Sequence, residues 1–304
     1  MKVDVCIVTY RRLVGLQRLL GGLEQLRLEP EIDLRVVVID NHAAGSARAV
    51  CEGARLWFRH PLVYRVEKRR GIPQARNTAL GIALGRADLV AFLDDDEVPE
   101  PSWLLELIRV QRLHAADAVG GPVVPVFEAP APAWIERFFD RPRHVTGERL
   151  RVAHTGNVLI ATRALARLDR LFDERLALTG ASDTEFFERF AQSGRRIVWA
   201  DEAQVLEFVP RSRARCRWIL KRAFRVGTSS AFIGRSCRVP AEARWRIVAH
   251  GCWCLAKGVA MQLGFFWGGR PASLRGLQLA VFGAGRFLGS LGWRYEEYRR
   301  VHGG

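Results

Sequence analysis

Residues 91–100 read AFLDDDEVPE: an apolar run ends in four consecutive acids, Asp94, Asp95, Asp96 and Glu97. Carboxylates packed this closely repel one another and tend to hold protons unless a cation sits among them. Two readings fit the quartet. It is a solvated acidic helix N-terminus, since Pro99 and Pro101 follow and a helix dipole favours acids at its start. Or it is a site for Mg²⁺ or Mn²⁺, which take hard oxygen ligands and commonly use one or two carboxylates plus substrate phosphates. The position directly after an apolar strand favours the second reading. A metal there would clamp a diphosphate and act as Lewis acid for a departing phosphate oxygen.

Outward from the quartet the pattern is regular. Runs rich in β-branched and apolar residues at 3–9, 34–39, 62–66 and 89–93 alternate with helical spacing at 12–26, 73–84 and 101–114. Continuous apolar strands alternating with amphipathic helices predict an α/β fold, a doubly wound, mostly parallel sheet with helices on both faces. Right-handed crossovers follow. Ligands of such sheets bind outside the carboxyl ends of the strands. Those ends carry Thr9, Tyr10 and Arg12 after the first strand, Asp40 and Asn41 after the second, and the acids after the fourth. The first crossover, TYRRLVGLQRLLGG, lacks the GxGxxG of a dinucleotide oxidoreductase.

Beyond residue 118 the pattern changes. AVGGPVVPVFE reads as a strand broken by Gly and Pro, and 127–150 as a long loop with prolines and aromatics. HTGNVLIATRAL reads as a turn, a strand and a helix start. GASDTEFFERFAQSG reads as a loop entering a helix, capped by Ser182 or Asp183, with Glu185 in its first turn. RRIVWADEAQVLEF reads as two strands joined by a turn. Several side chains carry two readings each. Asp40-Asn41 is an acceptor for a base or ribose, or a turn pair. Arg76 suits a diphosphate, or a surface ion pair. Asp183 is a general base on the acceptor side, or only a helix cap. Arg217, Trp218 and Arg222 line the cleft, or face lipid headgroups.

The 304-residue chain is 49% hydrophobic, enough for a sizeable core, and carries a formal charge of +15. Eleven Arg or Lys against one Glu fall between residues 211 and 246, so ten of the fifteen excess charges sit there. The chain therefore divides into a near-neutral domain, 1–210, and a basic, apolar helical appendage, 211–304. The apolar stretches 247–268 and 277–293 are interrupted by charged or polar residues, and a spanning helix needs about 20 uninterrupted apolar residues. Basic, Trp-rich amphipathic segments suit an anionic membrane surface; a packed helical subdomain or an oligomer interface is the alternative. The charge would also suit nucleic acid, but that reading leaves the acids unexplained, and no nucleic-acid partner is expected. Six cysteines without CxxC pairs and no secretory leader indicate a cytoplasmic compartment, and Cys252 and Cys254 read as small apolar residues.

VDVCIVTYRR, VVVIDN, GIPQARNTAL, FLDDDEVP, HTGNVLI and SDTEFFERFAQSGRRIVWADEA follow one another in the order seen in family 2 glycosyltransferases of the GT-A fold. The chain resembles that family over roughly residues 3–225. Within it, the chain is most similar to bacterial exopolysaccharide or lipopolysaccharide sugar transferases of the succinoglycan-glucosyltransferase type. The resemblance implies inverting transfer from a nucleotide-diphosphate sugar to an acceptor hydroxyl of a glycan or lipid-linked glycan, with Mn²⁺ or Mg²⁺. It implies that Thr9, Tyr10 and Asp40 hold the nucleotide base and nearby groups, and that Arg76 lies on the nucleotide side. It implies that Asp96 binds metal directly, with Asp94 or Asp95 at ribose or metal-bound water. Asp183 matches the family's catalytic base, and Gly156 and Asn157 match a turn on the acceptor side. Ser182 replaces the acid that usually precedes the base. Arg217-Trp218 matches QxxRW only loosely, since position 214 is Ala, which favours single addition over polymerisation. A catalytically inactive membrane-surface scaffold of the same fold is the alternative.

Overall fold

The alternating sequence pattern becomes one eight-stranded sheet. The computed structural model describes residues 1–236, 244–263, 265–293 and 295. Strands β1 (Lys2–Thr9), β2 (Asp33–Asp40), β3 (Leu62–Val66) and β4 (Leu89–Asp94) alternate with helices α1 (Leu13–Glu24), α2 (Arg48–Ala54) and α3 (Ile72–Ala83). Next come β5 (Glu97–Pro99), α4 (Trp103–Leu113), β6 (Ala118–Gly120), β7 (Val123–Phe127), α5 (Ala133–Glu136), β8 (Arg149–Leu150), β9 (Asn157–Ala161) and α6 (Thr162–Leu165). The chain continues through α7 (Ser182–Gln192), β10 (Ile197–Trp199) and β11 (Val205–Val209) into α8 (Cys216–Ser236), α9 (Arg244–Leu263) and α10 (Phe265–Ser290).

The sheet order is β3-β2-β1-β4-β9-β6-β10-β8. β3, β2, β1 and β4 run parallel, β9 runs against both of its neighbours, and β10 is parallel to β6. Both faces are covered, so the strands read as unbroken apolar runs. Val3, Val5 and Ile7 pack with α1, α2 and α4. Cys6, Val37 and Ile39 turn the other way, toward α3 and the phenylalanines of α7. A small second sheet, β5-β11-β7, carries the chain away from the acids, and its register sets Glu207 opposite Glu97.

The broken strand expected after residue 118 is two strands, β6 and β7, in different sheets, because Gly121 and Pro122 turn the chain between them. The two strands expected in RRIVWADEAQVLEF are likewise split between the sheets. The basic segment expected to be helical from Arg211 becomes helix only at Cys216; residues 210–215 form a turn. Part of the basic run, 237–243, lies outside the described residues, as do 264, 294 and 296–304.

The three C-terminal helices form a layer with α10 in the middle. Glycines set its spacing: a Cβ on Gly227 of α8 would lie 2.3 Å from the Phe282 carbonyl, and one on Gly258 of α9 2.3 Å from the Ala280 nitrogen. A satellite cluster of Ile135, Phe139, Val209, Ile219 and Leu274 joins this layer to the sheet domain. Among the described residues no helix is long and apolar enough to cross a membrane.

Candidate active site

A cleft of about 450 Å³ opens beyond the carboxyl ends of β1, β2 and β4, where the topology requires it. Thr9, Tyr10, Arg12, Asn41, Arg76, Asp94, Asp95, Asp96, Gly156, Ser182, Asp183, Trp218 and Arg222 all line it. The chain leaves β1 through Arg11, held at a φ of 57°. That left-handed residue turns α1 back so that Arg12 overlies the acids.

The acids are not a solvated helix start. Asp95 and Glu97 are buried, and α4 begins only at Trp103. Their repulsion is balanced by guanidinium groups. Arg12 Nη1 lies 2.9 Å from both Asp95 and Asp96. Arg213 Nη1 lies 2.8 Å from Asp96 and 3.4 Å from Glu207, and Arg141 also pairs with Glu207. Asp95 is further held by the Thr9 hydroxyl, which donates at 2.8 Å. Burial works to raise the Asp96 pKa, but Arg12 and Arg213 outweigh it and hold the carboxyl below its usual range. Glu97 has no guanidinium among its hydrogen-bond or ion-pair partners in the described residues: burial and the charges of Asp94 and Asp96 push its carboxyl well above the usual range. It accepts the Asp94 N–H at 2.8 Å.

Asp94 is the most open of the acids in the cleft, with 47% of its side-chain surface exposed. Its surroundings still desolvate it; together with Asp96, Asp95 and Asp183 they push it to about 6, against the pull of Arg76. Arg76 is buried in α3, 3.6 Å from Asp94, and donates to the Ser182 hydroxyl at 3.1 Å. Ser182, neutral where the family pattern has an acid, leaves that guanidinium's charge to the neighbouring aspartates.

Asp183 does not cap α7. The N-cap is Ala181 with no side-chain bond, Ser182 faces Arg76, and Asp183 accepts the adjacent Thr184 N–H at 2.8 Å. Glu185 is buried in ion pairs with Arg170 and Arg189. The other Asp183 oxygen lies 3.2 Å from Nδ1 of His154, whose ring is 64% exposed in the cleft. Burial would raise the Asp183 pKa; the bond and charge of His154, with Arg76, hold it well below the usual carboxylate range.

Three expected residues stand elsewhere. Asp40 is fully buried behind the cleft wall, accepting from the His42 and Ala47 N–H groups and the Tyr64 hydroxyl, so it shapes the 41–47 loop. Asn157 is buried and not among the residues lining the cleft: it donates to the Pro122 and Ala203 carbonyls and accepts from the Trp103 indole. Arg217 is exposed and outside the cleft. Asn41 lines the cleft and also pins the loop before α3, accepting the Gly71 N–H at 2.7 Å. Arg213, Glu207, Arg141, His154, Arg225 and Arg70 also line the cleft without having been singled out from sequence. His154 stood in HTGNVLI beside two residues that were, so its motif was a signal; Arg213 had none beyond its place in a basic run.

Among the described residues no three His, Cys, Asp or Glu form a complete metal-ligand set. Asp94 and Asp96 nevertheless fit a hard divalent cation that draws its remaining ligands from substrate phosphates and water. The open, proton-prone carboxyl of Asp94 is the group such a cation would ionise.

Comparison with known proteins gives the family and the fold. A family model described as glycosyl transferase family 2 matches residues 4–172. The succinoglycan biosynthesis protein ExoM of Rhizobium meliloti is 36% identical over 230 residues, 75% of this chain and 73% of its own. The glucosyl-dolichyl phosphate glucuronosyltransferase of Haloferax volcanii is 27% identical over 177 residues, 54% of this chain and 56% of its own. Among solved structures, the mannosyltransferase PcManGT from Pyrobaculum calidifontis, in complex with GDP-Man and Mn²⁺, superposes with a TM-score of 0.64 at 19% identity, covering 95% of this chain and 86% of that one. S. aureus TarS 1–349 in complex with UDP gives 0.54 at 17% identity, covering 92% and 90%.

Proposed function

The chain belongs to glycosyl transferase family 2, and from that premise we propose that it transfers a sugar, with inversion, from a nucleoside-diphosphate donor to a hydroxyl of a lipid-linked cell-envelope glycan. One observation carries the reading: Asp94 and Asp96, Arg76 and Asp183, distant in sequence, converge in a single cleft at the strand ends. The names of the relatives support the acceptor class: ExoM is a succinoglycan biosynthesis protein, and the Haloferax protein is a glucosyl-dolichyl phosphate glucuronosyltransferase; the GDP-Man bound to PcManGT supports the donor class.

In this reading the nucleotide lies along Thr9, Tyr10 and Asn41, with Tyr10 as an aromatic wall, edge-on to His42. The diphosphate meets Arg76, and Arg12 and Arg213 lie within reach beside the acids. A divalent cation held by Asp94 and Asp96 would supply Lewis-acid charge at the departing phosphate oxygen. Fixed cations stabilise charge that grows there in the transition state more than in the ground state. Asp183 takes the proton from the acceptor hydroxyl, which attacks the anomeric carbon from the face opposite the diphosphate. His154 holds Asp183 in place and in its ionised form.

The enzyme works at the inner face of the cell membrane in this account. The outer side of α9 exposes Trp245, Trp253 and Val259, Lys257 lies over the Trp253 ring at 4.7 Å, and no Asp or Glu occurs between residues 243 and 295.

Turnover of a UDP-, GDP- and dTDP-sugar panel with Mn²⁺ or Mg²⁺ tests the assignment. Asp183→Asn should keep donor binding and lose transfer by at least ~10²-fold; undiminished turnover would remove Asp183 as the base. Trp253→Glu should reduce flotation with anionic liposomes, and equal flotation would remove α9 as the contact.

A further inference from the structure

No side-chain cap fixes where α7 begins. Its N-cap, Ala181, makes no side-chain bond. The placement of Asp183, two residues on, therefore follows that of the preceding loop, 177–181. That loop runs along the cleft and is held from two sides. On one side stands α3: the Ile72 N–H donates to the Ala177 carbonyl at 3.2 Å, and the Gln74 amide donates to the Glu174 carbonyl at 3.2 Å. On the other stands α8. Arg225 Nη1 donates to the Gly180 carbonyl at 2.8 Å, and the Ser229 hydroxyl donates to the Thr179 carbonyl at 3.2 Å. Arg225, Ser229 and Thr179 are all buried, so these bonds form away from water, where loss of a partner is costly.

Arg225 and Ser229 lie one turn apart on the same face of α8. Gly180, at a φ of 70°, takes the left-handed conformation that glycine enters without strain, and two successive carbonyls there meet that face. The helix is braced in turn by α10: a Cβ on Gly285 would lie 2.3 Å from the Phe224 carbonyl oxygen, and one on Gly289 2.7 Å from that of Thr228. We propose that Arg225, assisted by Ser229, is a positioning residue for the base Asp183, and that through it the C-terminal helical layer is a working part of the active site. The proposal rests on the transferase reading above. Arg225 also lines the cleft, so its rival role is direct contact with a donor diphosphate. Binding and turnover separate the two roles, because a positioning residue acts on kcat and a ground-state phosphate contact acts on affinity.

The test is donor hydrolysis by the full chain with UDP-glucose, GDP-mannose and dTDP-glucose and Mn²⁺, beside calorimetric titration with UDP, GDP and dTDP. Water replaces the acceptor hydroxyl: its oxygen bonds the anomeric carbon, the bond to the diphosphate breaks, and the proton passes to Asp183. Arg225→Met keeps the stem and removes the donor. It should lower kcat about 10²-fold, the cost of misplacing a reacting group by about 1 Å, and leave KM and nucleoside-diphosphate affinity within about threefold. Arg225→Lys still donates and should recover about tenfold of the loss, and Ser229→Ala should lose about fivefold in kcat, the worth of one neutral bond. Ser230→Ala is the control: its hydroxyl accepts from Arg286 of α10 at 3.2 Å, and kcat should be unchanged. Hydrogen exchange gives a readout that needs no turnover. Amides of 178–184 should exchange faster in Arg225→Met than in wild type, and those of α3 should not. Unchanged kcat or unchanged exchange in Arg225→Met, an equal loss of kcat in Ser230→Ala, or a loss of nucleoside-diphosphate affinity that matches the loss of kcat would overturn the proposal. A wild type that binds no nucleoside diphosphate and hydrolyses no donor, with exchange at 178–184 still released by Arg225→Met, would sink the transferase reading and leave the hold of α8 on the α7 entry standing.

Discussion

Arg213 offers a quantitative test of how the acids are kept together. Its guanidinium is 11% exposed and bridges Asp96, 16% exposed, and Glu207, 9% exposed. Arg213→Met keeps the bulk of the side chain and removes the charge. Deleting one partner of a buried pair typically costs about 3–5 kcal/mol. The site is not fully dry and Arg12 still touches Asp96, so about 3 kcal/mol is expected. At roughly 2 °C per kcal/mol for a chain of this size, the melting temperature should fall by about 6 °C in the presence of a chelator. A divalent cation is the alternative counter-charge. In the wild type it competes with Arg213 for Asp96; in the variant it does not. Mn²⁺ at a hundred times its Kd contributes about 2.7 kcal/mol to a protein that binds it only when folded. The gap between variant and wild type should therefore shrink by a few degrees when Mn²⁺ replaces chelator in thermal melts. A variant melting within about 1 °C of wild type under chelator, or a gap indifferent to Mn²⁺, would refute the charge-balance argument.

Two further perturbations probe the base and the entry of α1. Asp183 must be ionised to take a proton, and His154 is the main group opposing its desolvation; His154→Ala should raise the Asp183 pKa and move the acid limb of the kcat/KM profile to higher pH. Superimposable acid limbs would mean that His154 does not act on Asp183. A Cβ at Gly15 would lie 2.3 Å from the Asp95 carbonyl oxygen, whereas one at Gly21 meets nothing within 4 Å. Gly15→Ala should destabilise the protein by about 1–3 kcal/mol and weaken donor binding, while Gly21→Ala should be neutral or stabilising by up to about 1 kcal/mol, as denaturant melts would register; equal effects at the two sites would contradict the close packing of α1 on the acid loop.

The sheet was legible because its signal is local. Each of β1 to β4 is a single apolar run, and each crossover is a helix with one apolar stripe, so topology rules fixed where the strand ends meet. That placed Thr9, Asp94 to Asp96 and, through the first turn of α3, Arg76 at one cleft from the pattern alone, whereas Asp183 was assigned there by the family resemblance. What sequence could not supply were partners set by long-range register. Glu207 reaches the site only because β11 pairs with β5, and Arg213 follows it through a turn that basic composition disguised as helix. Asp40 and Asn157 sit in motifs that look functional, yet their polar atoms are taken up by backbone and indole groups that a linear reading does not bring near. Arginines supply the cations among the acids, and under the proposed function their turning toward a bound diphosphate would link the structure to donor binding.

Calorimetric titration of UDP, GDP and dTDP into wild type and Asp96→Asn, each with Mn²⁺ and with chelator, addresses that link most directly. The account predicts that one nucleotide binds the wild type with Mn²⁺, that chelator weakens it at least tenfold, and that Asp96→Asn abolishes the difference. Equal affinity in all four conditions, or no nucleotide binding at all, would contradict it.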